Sequence, residues 1–338
     1  MNPLGRLYKR SHRLRRAVRR RKDGFTYHAA RVALWLPRHL SLARALALAD
    51  RVGDLAYDWS AQTRERSLAS LTIAFGDSKS PQEKEAIARA ALRNAARCLV
   101  EVAKIEEIRP QLERYAEIEG WEHWETVRAL GRGAIVITGH IGNWELLAAF
   151  FAARAVPIAA IARQLNDPRL NQLLIDFRRR NGVNPILRES PGSSREIVKI
   201  FHEHGLLAML IDQDILTPSL SVPFFGRPAR TPVAAATLAI RRNLPVIPAF
   251  ACRRAAGGHH FVIHPPVYPP GSGDRLQDAL TMTRRFSEII EAHIRRYPTE
   301  WVWWHKRWRR RPVPNLDLDT RIEYQNNVLQ GVEENRHG

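Results

Sequence analysis

The sequence predicts an α/β protein, a mixed central sheet flanked by helices, with an N-terminal helical region that associates with a membrane. Three observations predict it. From Ala134 onward short apolar runs alternate with segments of helical periodicity, the pattern of a sheet covered on both faces. Before that point only helical periodicity is found. Ahead of the helices stands an arm in which most positions between Arg6 and Lys22 are Arg or Lys. The expected organisation is a basic arm at 1–24, a helical membrane-proximal region at 25–130, an α/β core at 131–313 and a polar tail at 314–338, with 25–313 forming one domain.

Each element follows from its residues. In Leu42–Trp59 the apolar Ala45, Leu48, Val52, Leu55 and Trp59 recur at helical spacing, opposite a polar stripe of Arg44, Arg51, Asp54 and Asp58. Residues 60–130 read as helical throughout, broken by a turn at Gly76-Asp77-Ser78-Lys79-Ser80-Pro81. Strands are then expected at Ala134–Thr138, Ile158–Ala162, 184–187, 206–211, 246–252 and 261–264. Helices are expected at 143–154, 168–181, 193–204, 232–243 and 276–296.

Charge and composition narrow the partners. In 338 residues, 53 Lys plus Arg stand against 34 Asp plus Glu, a net charge of +19, which implies an anionic partner, nucleic acid or lipid. RNA readers interleave aromatics with their basic residues on a recognisable module, and the first block has none. A polybasic arm beside an amphipathic helix fits an anionic leaflet instead, with Arg13, Arg16, Arg19 and Arg20 and, near the other end, Lys306 and Arg307 as contacts. A spanning helix needs ~18 to 20 mainly apolar residues. The best candidate, 25–49, is broken by Arg31, Pro37, Arg38 and Arg44, so the region is expected to lie on the bilayer without crossing it. The basic stretch is too long for a secretory signal. Cys98 and Cys252 lack metal-ligand spacing; they fit a reduced, cytoplasmic compartment and pack as small apolar residues.

The segment Thr138-Gly139-His140-Ile141-Gly142-Asn143-Trp144-Glu145 carries the chemistry. His140 sits at a strand exit and Glu145 in the first turn of the next helix, so the carboxylate can orient the imidazole and leave its other nitrogen to take a proton from an attacking hydroxyl. Free N–H groups of the helix start, near Asn143, can hold a developing oxyanion. Arg163 follows a strand and can meet a phosphate. Asp212 and Asp214 follow another, where they can orient a sugar hydroxyl, pair with Arg163 or Arg227, or hold a metal. Phe224-Phe225-Gly226, between Pro223 and Pro228, suits a rigid loop lining an acyl or headgroup pocket, or aromatic core.

The motif resembles the H-x4-D/E signature of glycerolipid-type acyltransferases, and its G-H-x-G-N-W-E form is similar to the bacterial lipid A late acyltransferases that transfer lauroyl and myristoyl groups. Arg163 with Asn166 and Pro168, Asp212-Gln213-Asp214, Val222-Pro223-Phe224-Phe225-Gly226, Leu244-Pro245-Val246-Ile247-Pro248 and Trp303-Trp304-His305-Lys306-Arg307-Trp308 match in the same order, so the resemblance covers roughly 25–313. It implies a glycerolipid acyltransferase-like fold at the cytoplasmic face of the bacterial inner membrane. It implies His140 and Glu145 as the catalytic pair, with Asn143, Arg163, Asn166, Asp212, Asp214, Phe225 and Arg227 around the substrate. The donor it implies is an acyl carrier protein thioester, with acyl-coenzyme A as the alternative, and the acceptor is a hydroxyl of a lipid A precursor. No further cofactor and no metal are expected, and the protein is expected to act as a monomer. Family members often carry an N-terminal transmembrane anchor; this sequence departs from that pattern, and monotopic attachment is expected in its place.

Competing chemistries have weaker support. There is no H-E-x-x-H, His202-Glu203-His204 sits at an expected helix end, and His259, His260 and His264 are expected in a solvated hairpin. No G-x-S-x-G elbow is present, and neither cysteine is expected near the histidine motif. The rivals that stay open are another acceptor, a lysophospholipid or phosphatidylinositol mannoside, and a non-catalytic nucleic-acid or anionic-lipid binding protein.

Overall fold

A computed structural model describes residue 24, residues 26–188 and residues 190–310. Arg13, Arg16, Arg19 and Arg20, like the tail at 314–338, lie outside the described residues. Behind a helical stretch at 26–35 and a 3-10 helix (Leu36–His39) come helices α1 (Leu42–Trp59), α2 (Ala61–Phe75) and α3 (Pro81–Ala103). Ser41, Ser60 and Ser80 cap them in turn, each side chain accepting a backbone N–H of the first helical turn. At α3, Glu83 reaches back to the Ser80 N–H and closes a capping box.

The first strand comes earlier than expected. β1 (Ala116–Glu119) lies inside the region read as wholly helical, because its four residues, half of them glutamates, give no apolar run. Beyond α4 (Trp121–Arg128) the order follows expectation to within about two residues. β2 (Ala134–Thr138), α5 (Trp144–Ala153), β3 (Ile158–Ala162), α6 (Pro168–Arg180), β4 (Val183–Leu187), α7 (Ser193–His202) and β5 (Leu206–Leu210) come first. An unexpected hairpin, β6 (Ser219–Phe224) with β7 (Arg227–Pro232), follows. Then come α8 (Ala234–Arg242), β8 (Val246–Arg253), β9 (His259–Ile263) and α9 (Arg275–Arg296).

Seven strands form one mixed sheet in the order β1-β9-β8-β2-β5-β3-β4, with β9 antiparallel to β8 and the other neighbouring pairs parallel. Successive residues of β2 feed opposite faces. Ile135 and Ile137 enter a core built with α8, α9 and the hairpin, whereas Ala134 and Val136 enter one built around α5 and Trp124. The sheet is thus covered on both sides, as its apolar strands require.

The hairpin turns through Phe225 and Gly226, both at positive φ (52° and 70°), as a tight two-residue turn demands. Phe225 is 5% exposed and packs edge-on against Phe75, Phe224 and Trp303. It belongs to an aromatic core, which corrects its expected place in the pocket wall. That core joins the hairpin to the segment from Trp301 to Trp308.

In helix α1 the expected apolar stripe divides between two faces. Ala45, Ala49 and Gly53 are buried toward α3, while Val52 (50% exposed), Leu55 (46%) and Trp59 (83%) face outward. Small residues let the two backbones approach, and at Gly53 a Cβ would collide with the Arg93 backbone. Asp50, Asp54 and Asp58 face α3, pairing with Arg97, Arg93 and Arg89 at 2.5, 2.7 and 2.6 Å. No described helix is long and apolar enough to cross a membrane.

Candidate active site

The site grows from the register of two neighbouring parallel strands. Thr138 at the end of β2 pairs with Leu210 at the end of β5, and the Ile211 N–H still donates to the Thr138 carbonyl. Two residues beyond each paired position stand His140 and Asp212. The order of the sheet therefore places a histidine and a carboxylate side by side at the carboxyl ends of its central strands, where open α/β sheets collect their sites.

His140 Nδ1 lies 2.8 Å from Asp212 Oδ1, and the second oxygen, Oδ2, accepts the His140 backbone N–H at 2.7 Å and the Trp301 Nε1–H at 2.8 Å. Burial of Asp212 opposes its ionisation, but attraction to His140 and these hydrogen bonds outweigh it and hold the carboxyl down to about 2. An ionised Asp212 only accepts, so the neutral imidazole carries its proton on Nδ1 and its lone pair on Nε2. Trp144 packs edge-on against the ring at 4.9 Å between centroids.

The expected partner of His140 was Glu145, and here the structure corrects the reading. Glu145 faces α6, where Arg178 holds it with Nη2–Oε1 at 2.6 Å and Nε within 3.3 Å of both oxygens. The first turn of α5 points this side chain across the sheet face, whereas the strand register brings Asp212 to the imidazole. Glu145 still lines the same cavity as His140.

Asn143 is likewise corrected. It is 2% exposed, its Oδ1 accepts the Leu146 N–H as the cap of α5, and its Nδ2 donates to Glu101 Oε2 at 2.9 Å. Its own N–H goes to the Ala251 carbonyl and that of Gly142 to the Glu300 carbonyl, so these groups hold the turn and are not available to an oxyanion. Gly142 takes a φ of +57°, and a Cβ there would fall on the Ala251 carbonyl.

His140 opens onto a cavity of about 740 Å³, within the range of small-molecule sites. Ile161, Leu174, Met209 and Val233 supply apolar wall, and Arg163, Arg188 and Arg241 supply positive charge. A narrow apolar extension, lined by Leu147, Phe151 and Ala208, meets the cavity at Trp144, Glu145 and Arg178.

The remaining expected residues are scattered. Asp214 pairs with Arg310 at 2.9 Å and not with Arg163 or Arg227. Asn166 and Arg227 are exposed and outside the cavity wall. Lys306 is exposed, but Arg307 is 1% exposed, bonding the Arg230 carbonyl and, at 2.6 Å, Thr231 Oγ1. Buried on these two acceptors, it serves the hairpin and not an external anion. Burial pushes both cysteine thiols up, which suits packing and not nucleophilic attack. His259, expected in solvent, is wholly buried against Glu101. Among the described residues no group of three or more His, Cys, Asp and Glu is placed to hold a metal ion. Arg178 and Trp301 were missed. Arg178 is one of three consecutive arginines, and Trp301, distant in sequence, is brought to Asp212 by a bridge between its backbone and that of Ile141.

A carboxylate-held histidine over a cavity part apolar and part cationic is an arrangement suited to general-base chemistry. The chain belongs to the bacterial lipid A biosynthesis acyltransferase family, whose family model matches residues 18–310. It is 27% identical over 202 residues to a phosphatidylinositol mannoside acyltransferase of Mycobacterium tuberculosis (strain H37Rv), covering 59% of this chain and 61% of that protein. It is 25% identical over 205 residues to a lipid A biosynthesis lauroyltransferase of Escherichia coli (strain K12), covering 60% and 64%. A phosphatidylinositol mannoside acyltransferase of Mycolicibacterium smegmatis is 23% identical over 187 residues, covering 55% and 59%. The matched stretch spans about three fifths of the length of these relatives.

Proposed function

We propose that the protein is an acyltransferase that moves a fatty acyl chain from an acyl carrier protein thioester to a hydroxyl of a lipid A precursor. The observation that carries this reading is His140, held through Nδ1 by Asp212 and lining a cavity of mixed apolar and cationic wall. His140 Nε2 takes the acceptor's hydroxyl proton as the oxygen attacks the thioester carbonyl. The tetrahedral oxyanion is offset by cavity guanidinium groups, with Arg163 the first candidate. The C–O bond stays, the C–S bond breaks, and the imidazolium returns its proton to the leaving thiolate. The reaction needs no cofactor beyond the thioester, and coenzyme A can replace the carrier protein as its bearer.

Positive charge suits both substrates, since acyl carrier proteins are acidic and the glycolipid is phosphorylated. The protein acts as a monomer at the cytoplasmic face of the inner membrane, lying on the bilayer through its N-terminal helices. Support for that placement is the outward set Val52, Leu55 and Trp59 with Val32, Trp35 and Leu36, flanked by exposed Arg31, Arg38, Arg44 and Arg51. A second acceptor, a phosphatidylinositol mannoside, is favoured by the names of the mycobacterial relatives and would use the same site. Incubating the purified protein with acyl carrier thioesters and with acyl-coenzyme A, each against lipid A precursors, phosphatidylinositol mannosides and lysophospholipids, tests the reading by product mass. Acylation of the lipid A precursor is expected; acylation of another acceptor alone would replace it, and no transfer to any would reject it.

A further inference from the structure

Behind the catalytic turn lies a charged hub that general-base chemistry does not itself use. Glu101 of α3 is wholly buried. Its carboxylate accepts from Arg253 Nη1 and Nη2 at 2.6 and 3.0 Å, Tyr115 Oη at 2.8 Å, His259 Nε2 at 3.0 Å and Asn143 Nδ2 at 2.9 Å. Five separate stretches of chain thus meet on one side chain: α3, the approach to β1, the end of β8, the start of β9 and the turn that carries His140. Burial disfavours its charge, yet His259 and Arg253 hold the carboxyl well below the ordinary glutamate range.

We propose that Glu101 is a positioning residue for His140, acting through Asn143. The path is short and each step is a hydrogen bond. Asn143 Nδ2 is fixed by Glu101 while Oδ1 caps α5, so the hub sets both the turn and the helix that begins in it. The turn is pinned again by Gly142 N–H on the Glu300 carbonyl at 3.0 Å and Asn143 N–H on the Ala251 carbonyl at 3.1 Å. Three residues before Asn143 the chain reaches His140, whose N–H and ring both need Asp212 at hydrogen-bond distance. An apolar side chain at 101 would fill the space without direction. A buried acceptor with directional partners gives the turn one position, the use best attested for buried polar groups.

The inference rests on the acyl-transfer reading for its main readout. Asn143→Asp keeps the helix cap, because aspartate is a good N-cap, but turns the donor facing Glu101 into a like charge. Glu101→Gln sets an amide NH2 where an oxygen accepts from Asn143 Nδ2 and Arg253 Nη2, donor against donor. Joined, the two changes restore one donor and one carboxylate across the contact. Each single variant is expected to lower kcat by about 10-fold or more with KM little changed, as a small misplacement of a reacting group does. The double variant is expected to lose less than the product of the two singles, since residues in one network are not additive. Wild-type kcat in folded Asn143→Asp, or a double variant whose loss is the product of the singles, would overturn the proposal.

The rate of His140 carbethoxylation by diethyl pyrocarbonate, read by mass spectrometry, gives the same contrast without turnover. It should rise in both singles and, in the double, by less than the product of the two rises, and unchanged rates in the singles would overturn the proposal even if no acyl transfer is found. Should Glu101→Gln fail to fold, Asn143→Asp alone decides on both readouts.

Discussion

Asp212, not Glu145, holds the His140 imidazole, with Asp212 Oδ1 2.8 Å from His140 Nδ1 and Glu145 bound by Arg178. Two carboxylates near one histidine therefore have separate roles. Asp212→Asn removes the acceptor pair that serves the His140 N–H, the Trp301 indole and the ring together. It should lower turnover by ~10²-fold or more, the scale expected when a general base loses its orienting group. His140→Ala should match it, and the double variant should be little worse than either. A steady-state comparison of the three folded proteins is the check; near wild-type turnover in Asp212→Asn would remove the dyad.

Glu145 and Arg178 are expected to act on stability and on the cavity wall. Their side chains are 13% and 10% exposed, so removing one partner strands the other charge in a poorly hydrated place. Glu145→Ala should cost roughly 3 kcal/mol, the usual penalty for breaking a buried pair. Replacing both by apolar residues of similar size should cost less. Chemical denaturation of the singles and the double measures this, and a double variant less stable than both singles would contradict it.

Glu300 gives a pH dependence with a definite sign. Burial raises its carboxyl to about 7 against the attraction of Arg253, and its Oε2 is without a hydrogen-bond partner. A carboxyl raised in the folded state contributes stability below the ordinary glutamate range and loses it as pH rises through about 7. The loss is on the order of 3 kcal/mol, at about 1.4 kcal/mol per pKa unit. Glu300→Gln should flatten that part of the profile and stabilise the protein at pH above about 7 relative to wild type. Thermal unfolding from acid to mildly alkaline buffer checks it, and parallel profiles for the two proteins would refute it.

Much of the sheet was legible because its inner strands are apolar runs bounded by turn residues. Ala134–Thr138 and Ile158–Ala162 match residue for residue. β1 and the hairpin were not legible, since Ala116–Glu119 is half glutamate and the hairpin carries Pro223 and Pro228, residues that argue against a strand. In the site, His140 was singled out from its local motif together with the family resemblance. Asp212, the carboxylate beside its ring, was seen as a loop aspartate but not paired, because the meeting of 140 with 212 depends on β5 lying beside β2, a fact of strand order. Glu101 sits in an ordinary amphipathic helix, and nothing in its neighbours marks it as buried. The α1 stripe was read correctly as apolar, but which face turned inward was decided by Ala45, Ala49 and Gly53.

That inward choice makes the outer face of α1 the place to test membrane contact. The ion pairs from Asp50, Asp54 and Asp58 to α3 already hold the helix, so Val52, Leu55 and Trp59 contribute little to folding where they stand. At a bilayer the same residues would leave water, and at roughly 25 cal/mol per Å² of apolar surface even three side chains are a sizeable contribution. Exposed Arg44 and Arg51 on the same helix would meet anionic headgroups, worth about 1 kcal/mol each near the surface and weakened by salt. Val52→Ser, Leu55→Ser and Trp59→Ser combined should leave the unfolding midpoint nearly unchanged and turnover of detergent-dispersed substrate intact. Binding to vesicles of anionic phospholipid should fall by about 10-fold or more, from the area lost. Sedimentation with vesicles at low and physiological salt measures this. Undiminished binding by the triple variant would show that another surface meets the lipid.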